Sequence, residues 1–337
     1  MSVLLRQFST ILNPRFMAAF VAVVMSLVSS ISAVAGPWSV VSVNGREYVT
    51  DRNVNSFYKF ERFAKEGSDR VFRHPSLIMS WKTGSQAIYI NNIKFNLSFP
   101  IVEQGGKAMI SIVDLAKLVD PVLRPSYIKK PISFDTVVID AGHGAHDSGA
   151  KGVKGYEKNY TLDLSRKLEA ELKARGFKTV MTRSTDVFLT LGQRVAIANK
   201  TKNAIFVSIH FNSSGTKTAN GIETYSLAPQ GTSSTNGGSP WSSFLNGNIR
   251  DKENIALATS VHAHVVHEFK SIDRGIKRAR FNVLRGINKP AILFEGGFIT
   301  NPTEGAKIDD DAHRLRLAAS IATAIQTFKG AVGKKKR

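Results

Sequence analysis

The stretch Asp135-Thr-Val-Val-Ile-Asp-Ala-Gly-His143-Gly decides the fold class of this chain. Its β-branched run predicts a short buried strand, and Ala-Gly-His-Gly predicts a loop at the carboxyl end of that strand. Residues 158–175 follow with apolar side chains at four-residue steps, a spacing that predicts an amphipathic helix. A strand followed by a helix is the repeating unit of an α/β fold.

The same alternation continues towards the end of the chain. We expect further strands at 178–182, 204–210, 222–227 and 291–295, and further helices at 191–200, 253–270 and 312–328. The sequence therefore predicts an α/β layered domain over residues 134–330. Residues 228–250, rich in Gly, Ser, Thr and Asn, interrupt the rhythm and predict a flexible flap beside the functional site.

Upstream, residues 36–120 have a different pattern. An Asn-Gly pair at 44–45 and an Asn-Asn pair at 91–92 each lie between strand-like runs, which predicts two hairpins. A proline-spaced segment at 121–133 predicts a linker. We therefore expect a small N-terminal α+β domain with a core of its own.

The composition excludes several kinds of chemistry. Among 337 residues there is no cysteine, which excludes disulfides, thiol nucleophiles, iron–sulfur clusters and zinc sites with cysteine ligands. Lys and Arg number 46 against 26 Asp and Glu, a formal net charge of +20. Such a charge fits a polyanion such as nucleic acid, but the targeting signal at the amino terminus points away from that partner.

Residues 1–35 have the pattern of a secretory signal peptide. Arg6 and Arg15 precede an apolar run that closes on Ala33-Val34-Ala35, and no acidic residue is present. The alternative is a retained anchor, because residues 16–35 are just long enough to span a bilayer. We expect cleavage, export to the periplasm or cell envelope, no nucleic-acid partner and no membrane span afterwards. The basic tail at 331–337 is expected to be a solvated end.

The predicted strands end in residues with metal-binding or acid–base chemistry. His143, His210 and Glu295 each follow or close a strand, and Glu157 opens the first helix. In an α/β sheet such strand ends share one edge. Two histidines and one glutamate are a ligand set for catalytic zinc with an open position, and a further carboxylate can act as general base. We assign His143, Glu157 and His210 to one zinc ion and Glu295 to the base.

The residues alone leave other interpretations open. Either histidine could be a hydrogen-bonded structural residue, Glu157 a helix-start acid and Glu295 an ion-pair partner. A second histidine group, at 262, 264 and 267, lacks a pair four residues apart, and we expect it on an exposed helix face.

Four motifs in order carry a family resemblance: Val138-Ile-Asp-Ala-Gly-His143-Gly-x-x-Asp147-x-Gly-Ala150, Glu157-Lys158, Ser208-Ile-His210-x-Asn212 and Phe294-Glu295-x-Gly297-Phe298-x-x-Asn301. Residues 135–328 resemble the zinc-dependent N-acetylmuramoyl-L-alanine amidases of bacterial cell walls. The resemblance implies a mixed, mostly parallel sheet of about six strands with helices on both faces. It also implies zinc on His143, Glu157 and His210, with Glu295 catalytic.

The activity implied is hydrolysis of the amide that joins the lactyl group of N-acetylmuramic acid to L-alanine of the peptidoglycan stem peptide, by a zinc-bound water with Glu295 as base. Asn212 is expected to orient the substrate, and a basic residue near the rim to hold its carboxylates; the candidates are Lys151, Lys154, Arg280 and Arg285. The alternatives are another exported zinc peptidase or deacetylase, or a catalytically silent wall-binding protein. The sequence identifies no protein activator.

The N-terminal domain has a resemblance of its own. Asn44-Gly45 with Tyr48, Ile90-Asn91-Asn92 and the closing Asp120-Pro121 are similar to the copper-amine-oxidase N-terminal-like domain found in secreted bacterial enzymes. This resemblance implies an accessory domain and no copper site.

Overall fold

A computed structural model describes residues 38–333 of the chain. The predicted signal peptide at 1–35 and residues 334–337 of the basic tail lie outside the described residues. Among the helices that are described, none is both long and apolar enough to cross a bilayer.

The N-terminal part is mainly β structure. Its elements are β1 (Val40–Val43), β2 (Arg46–Thr50), α1 (Asp51–Tyr58), β3 (Arg62–Glu66), β4 (Asp69–His74), β5 (Leu77–Lys82), β6 (Ala87–Ile90), β7 (Ile93–Asn96), β8 (Val102–Gln104) and β9 (Lys107–Ser111). A helical segment follows, consisting of α2 (Ile112–Asp114), a π-helical turn (Leu115–Val119) and α3 (Asp120–Leu123). Both predicted hairpins are present, β1–β2 and β6–β7. Their turns use Asn and Gly in the left-handed conformation, as at Asn44 with φ 49°.

The second part alternates strands and helices as predicted. Its strands are β10 (Thr136–Ala141), β11 (Lys178–Met181), β12 (Ala204–Asn212), β13 (Ile222–Ser226), β14 (Asp273–Arg278) and β15 (Ala291–Phe298). Its helices are α4 (Glu157–Ala174), α5 (Leu191–Lys200), α6 (Asp251–Phe269), α7 (Asn282–Arg285), α8 (Pro302–Asp309) and α9 (Asp311–Gly333). Of these elements, β14, α7 and α8 were not predicted.

The six strands form a mixed, mostly parallel arrangement in the order β11-β10-β12-β15-β13-β14. The pairs β11–β10, β10–β12 and β12–β15 are parallel, β13 is antiparallel to β15, and β14 is parallel to β13. Apolar side chains of α4, α6 and α9 pack on one face of the sheet, and those of α5 and α7 pack on the other. Because both faces are covered, the central strands are mostly apolar, and their polar residues come mainly towards their carboxyl ends. The predicted fold class is confirmed.

The sheet does not end at β14. This strand pairs in parallel with β7 through Ile276 and Phe95, which makes one sheet of eleven strands; β1, β2, β9 and β8 form a separate sheet of four. Asp273 accepts the backbone N–H of Lys94 at 2.7 Å, and Arg278 makes a buried ion pair with Asp114. Pairing with β7 also covers an edge strand that would otherwise expose unpaired backbone groups.

The two parts share a core. Buried residues from β4 to β7 and from α3 belong to the same apolar cluster as those of α4, α6 and α9. The expectation of a separate N-terminal core is therefore wrong, because α3, at the start of the predicted linker, packs against α6.

The expected exposed histidine face of α6 is also wrong. His262 is fully buried, with its ring nitrogens 3.0 Å from Thr224 Oγ1 and 2.9 Å from Asp273 Oδ1. His264 is 5% exposed. The reason is that α6 packs between β13 and α9, so almost its whole circumference is covered.

Candidate metal centre

Three of the four predicted site residues converge at the carboxyl edge of the sheet. Because β10 and β12 are parallel neighbours, the loop after β10 brings His143 next to His210 at the end of β12. Glu157 is the first residue of α4 and points back to the same place. One ligand atom from each residue lies within 4.8 Å of the other two.

Glu157 is the centre of this group. Its Oε1 lies 3.0 Å from Nε2 of His143 and 2.9 Å from Nδ1 of His210, while Oε2 accepts the backbone N–H of Ala150 at 3.0 Å. Burial raises the pKa of this carboxyl, but the hydrogen bonds from the two histidines outweigh burial and hold the pKa well below its ordinary value. Glu157 is therefore ionised and available as a ligand at neutral pH.

Asp147 fixes the ring of His143. Its Oδ1 lies 2.9 Å from His143 Nδ1, which leaves Nε2 to face Glu157. Ring nitrogens of metal-binding histidines are commonly held by a carboxylate in this way, which sets the tautomer and the ring orientation. Sequence reasoning missed this role, although the spacing of four residues between His143 and Asp147 was visible.

Two glycines make room for the ligands. A Cβ on Gly142 would lie 2.4 Å from Cε1 of His210, and a Cβ on Gly149 would lie 2.6 Å from Oε2 of Glu157. Gly149 also has a φ of +62°, which side chains disfavour. These positions explain why the loop between β10 and α4 needs glycine where it passes the site.

Glu295 lies on the strand next to His210. The two residues are register partners in β12 and β15, so their side chains project from the same face. Oε2 of Glu295 is buried and has no hydrogen-bond partner among the described residues. Burial raises the pKa of Glu295 well above its ordinary value, repulsion from Glu157 and Glu223 adds to the rise, and Lys277 opposes it. Glu295 therefore has a high proton affinity and one carboxyl oxygen that is free to form a hydrogen bond.

Glu223 lies on the other side of Glu295, as its register partner in β13. Its carboxylate is 2% exposed and accepts four hydrogen bonds. The donors are Asn212 Nδ2 (3.0 Å), Tyr225 Oη (2.7 Å), Arg274 Nε (2.6 Å) and Lys277 Nζ (2.6 Å). Burial raises the pKa of Glu223, but the hydrogen bonds from Lys277, Tyr225 and Arg274 lower it by more than burial raises it. The pKa of Glu223 is therefore below its ordinary value. We call Glu223 with these four donors the Glu223 cluster; of its members, sequence reasoning gave a role only to Asn212.

The predicted substrate residues lie in different surroundings. Asn212 belongs to the Glu223 cluster and is therefore close to Glu295. Arg285 lies in α7, where Nη1 donates to Asn282 at 3.1 Å and Cζ is 5.0 Å from the centre of the Trp241 ring. Two of the other basic candidates already have partners in the protein: Arg280 donates to backbone oxygens of the 228–250 segment, and Lys154 pairs with Asp309 at 2.9 Å.

The 228–250 segment begins and ends at the edge of the sheet opposite Glu295. It leaves from the end of β13, which runs antiparallel to β15. It leads into α6, where Asn254 accepts the backbone N–H of Ala291 at the start of β15. The prediction of a flap beside the site is therefore wrong, because both ends of the segment lie at the opposite edge of the sheet.

The family described as N-acetylmuramoyl-L-alanine amidase matches residues 137–327. Among the curated relatives, the uncharacterised protein YqiI of Bacillus subtilis is 34% identical over 199 residues, which cover 59% of this chain and 87% of YqiI. The N-acetylmuramoyl-L-alanine amidase LytC of the same organism is 31% identical over 194 residues, 58% of this chain, and the chain spans only 35% of the length of LytC.

A solved structure agrees on the fold. The N-acetylmuramyl-L-alanine amidase Ami1 of Mycobacterium smegmatis has a TM-score of 0.50 and 22% identity, covering 60% of this chain and 99% of Ami1. The family match runs from the first strand of the large domain into its last helix and includes His143, Glu157, His210 and Glu295. Because the match covers more than half of the residues, the chain belongs to the N-acetylmuramoyl-L-alanine amidase family.

Proposed function

We propose that the chain hydrolyses the amide between the lactyl group of N-acetylmuramic acid and L-alanine of the peptidoglycan stem peptide. In this proposal His143, Glu157 and His210 hold one zinc ion, and Glu295 is the general base. One observation carries the assignment: three ligand atoms converge beside the buried Glu295, whose Oε2 has no hydrogen-bond partner in the part of the chain that is described.

The donor set fits zinc. Two imidazole nitrogens and one carboxylate oxygen are a common set of protein ligands at catalytic zinc, and three ligands leave a position open. Asp147 holds His143 in the orientation that such a ligand needs. When bound, zinc supplies a Lewis acid that polarises a carbonyl oxygen and lowers the pKa of water to near 7.

Glu295 accepts the proton of the attacking water and returns it to the departing amine. A general base works best when its pKa is close to the working pH, and burial moves the pKa of Glu295 in that direction. The same proton then lets L-alanine leave as a neutral amine, so that no amide anion has to be expelled. Asn212, beside Glu295, orients the substrate, and Arg285 is retained as a second candidate substrate contact.

The positions of the proposed site residues along the chain indicate which region has which role. Residues 134–330 carry the catalytic site, residues 36–120 are an accessory domain, and residues 121–133 are the linker between them. The signal peptide at 1–35 directs the protein to the cell envelope, where peptidoglycan is its partner. The family match, which starts at 137, supports this boundary.

The experiment is product analysis after incubation of the full chain with purified sacculi. We expect new amino-terminal alanine in a one-to-one ratio with released stem peptides. New termini at other residues would indicate a peptidase, and free acetate would indicate a deacetylase. If no product forms with zinc-loaded protein, the chain is catalytically silent and the proposal is wrong.

Metal removal tests the cofactor separately. Dialysis against a chelator is expected to abolish the release of stem peptides, and one equivalent of zinc to restore it, because the polarising ion has no substitute among the side chains of the site. The matched control is His262→Gln, which removes a histidine outside the ligand group. Full turnover by protein shown by elemental analysis to be metal-free would contradict the proposal.

A further inference from the structure

Arg274 lies on the far side of Glu295 from the metal-ligand residues. His210, Glu295 and Glu223 occupy one register row across β12, β15 and β13. Neighbouring strands are about 4.8 Å apart, so the Cα atoms of His210 and Glu223 are separated by roughly 10 Å. Three extended peptide residues span about the same distance. Arg274 is hydrogen-bonded to Glu223 and therefore lies about this far from His210.

The guanidinium of Arg274 is held from two sides. Its Nε donates to Oε1 of Glu223 at 2.6 Å, and its Cζ lies 4.8 Å from the centre of the Phe298 ring. Glu223 is itself fixed by Asn212 and Tyr225. A side chain held in this way loses little conformational freedom when it binds a ligand.

The outer part of the guanidinium is available. The side chain is 37% exposed, Nη1 has only a long contact of 3.5 Å to the backbone oxygen of Asn220, and Nη2 makes no hydrogen bond to any described residue. Lys277 is less exposed, at 20%, and its ammonium already compensates the charge of Glu223 at 2.6 Å. One of the two positive charges in the Glu223 cluster is therefore left over, and it faces solvent.

The chemistry of this group selects a carboxylate. Guanidinium presents parallel N–H donors that match the two oxygens of a carboxylate, and the interaction is stronger than one between neutral groups. Asn212 adds a second donor beside it, because only one of its two amide N–H bonds is used by Glu223. Stem peptides carry free carboxylates, whereas the glycan strand next to the scissile amide has hydroxyl and acetamido groups.

We propose that Arg274 is a specificity-determining residue that binds a free carboxylate of the stem peptide close to the scissile amide. The inference rests on the proposed function and names the substrate group that the Glu223 cluster recognises. It also replaces the sequence-based choice of Lys151, Lys154 and Arg280 with a residue that the fold brings to the rim.

The test uses two synthetic muramoyl peptides that differ at one group, a free carboxylate or a carboxamide on the residue after L-alanine. The full-length, zinc-loaded enzyme is expected to prefer the carboxylate. Arg274→Gln is expected to lower kcat/KM for the carboxylate substrate by about 10- to 100-fold, mainly through KM, because a charge-assisted hydrogen bond is lost. The carboxamide substrate should change by less than about threefold.

Arg274→Lys keeps a cation beside Glu223 and guards against misfolding of the glutamine variant. It should retain part of the preference, because ammonium lacks the paired donors. The control is Arg46→Gln, since Arg46 also lies over a phenylalanine ring, 4.3 Å from the centre of Phe99, but in the N-terminal part. It should leave both substrates unchanged.

The outcomes separate this inference from the function it rests on. Equal losses on both substrates, or a wild-type preference for the carboxamide, would overturn the role of Arg274 while leaving the amidase in place. Hydrolysis of neither substrate by the wild-type enzyme would overturn the proposed function and this inference with it.

Discussion

Glu295 has a carboxylate on each side, Glu157 towards β12 and Glu223 in β13. The neighbours of Glu157 include histidines that can also bind a metal ion, whereas the side chains that contact the Glu223 carboxylate are hydrogen-bond donors to it. Glu157 contacts two histidine nitrogens, both of which can bind a metal ion. Glu223 accepts hydrogen bonds from four donors, two of them cations, and is buried beneath them. Glu295 lies between the two, and its Oε2 has no hydrogen-bond partner within residues 38–333.

The difference shows how one sheet edge gives three glutamates three different environments. The pKa values of Glu157 and Glu223 are lowered by their donors, so both remain ionised, whereas burial raises that of Glu295. Carboxyl groups whose pKa values are pushed apart in this way are suited to different tasks. The number of hydrogen-bond partners therefore separates the proposed metal ligand, the supporting carboxylate and the proposed base, which are all glutamates.

The sharpest way to break this comparison is Glu295→Gln. The variant keeps the size of the side chain but cannot accept the proton of the attacking water, so we expect kcat to fall by about 10²- to 10⁴-fold. The metal content should not change, because the three ligand residues are intact. Release of stem peptides from sacculi, with elemental analysis of zinc in the same sample, measures both effects.

Glu253→Gln is the matched control for this variant. Glu253 is also a buried glutamate whose pKa is raised by burial, but it lies at the start of α6 and accepts the backbone N–H of Ile132. It should keep kcat within about twofold. If Glu295→Gln retained wild-type kcat, the open oxygen of Glu295 would have no part in catalysis.

Strand topology explains how much of the site the sequence could predict. His143, His210 and Glu295 were found because each follows or closes an apolar, β-branched run, and parallel strands bring their carboxyl ends together. Glu157 was found because it opens a helix with a clear apolar period. The signals are local, and the geometry that joins them follows from the order of strands and helices.

The strand that carries Arg274 and Lys277 has no local strand signal. The strand β14 reads Asp273-Arg-Gly-Ile-Lys-Arg278, with four charged residues in six, which is not the pattern of a buried strand. Glu223 pairs with both Arg274 and Lys277, and Arg278 pairs with Asp114, which is 164 residues away in the chain. The strands β14 and β7 are also far apart along the chain. Their pairing therefore could not be predicted, and the N-terminal part was expected to have a core of its own.

Asp147→Asn sharpens the metal side of the comparison. The amide can still contact His143 but no longer favours the tautomer that turns Nε2 towards the metal, so we expect zinc affinity to weaken by about 10- to 100-fold. At saturating zinc, kcat should recover most of its value. Competition with a chromophoric chelator gives the affinity.

Asp186→Asn is the control on the metal side. Asp186 braces the same loop through the backbone N–H of Ala145 and through Lys158, and it touches no ligand histidine. Its zinc affinity should stay within about threefold of wild type. An equal loss in both variants would mean that Asp147 acts on the loop and not on the ring of His143.

Glu223→Gln tests the saturated side, and here the expected effect is on stability. The amide cannot balance Arg274 and Lys277, but both cations are partly exposed to water, so the loss at pH 7 is limited to about 1 to 1.5 kcal/mol. Because the pKa of Glu223 is lower in the folded chain than in the unfolded chain, its stabilisation is complete above the unfolded value of about 4.3 and is lost as the pH falls below it. Denaturant unfolding of metal-free protein should therefore show a difference between wild type and variant at pH 7 that shrinks at pH 3.5. A difference of the same size at both pH values would mean that Glu223 stabilises the sheet by packing alone, and the contrast with Glu295 would then not be one of charge.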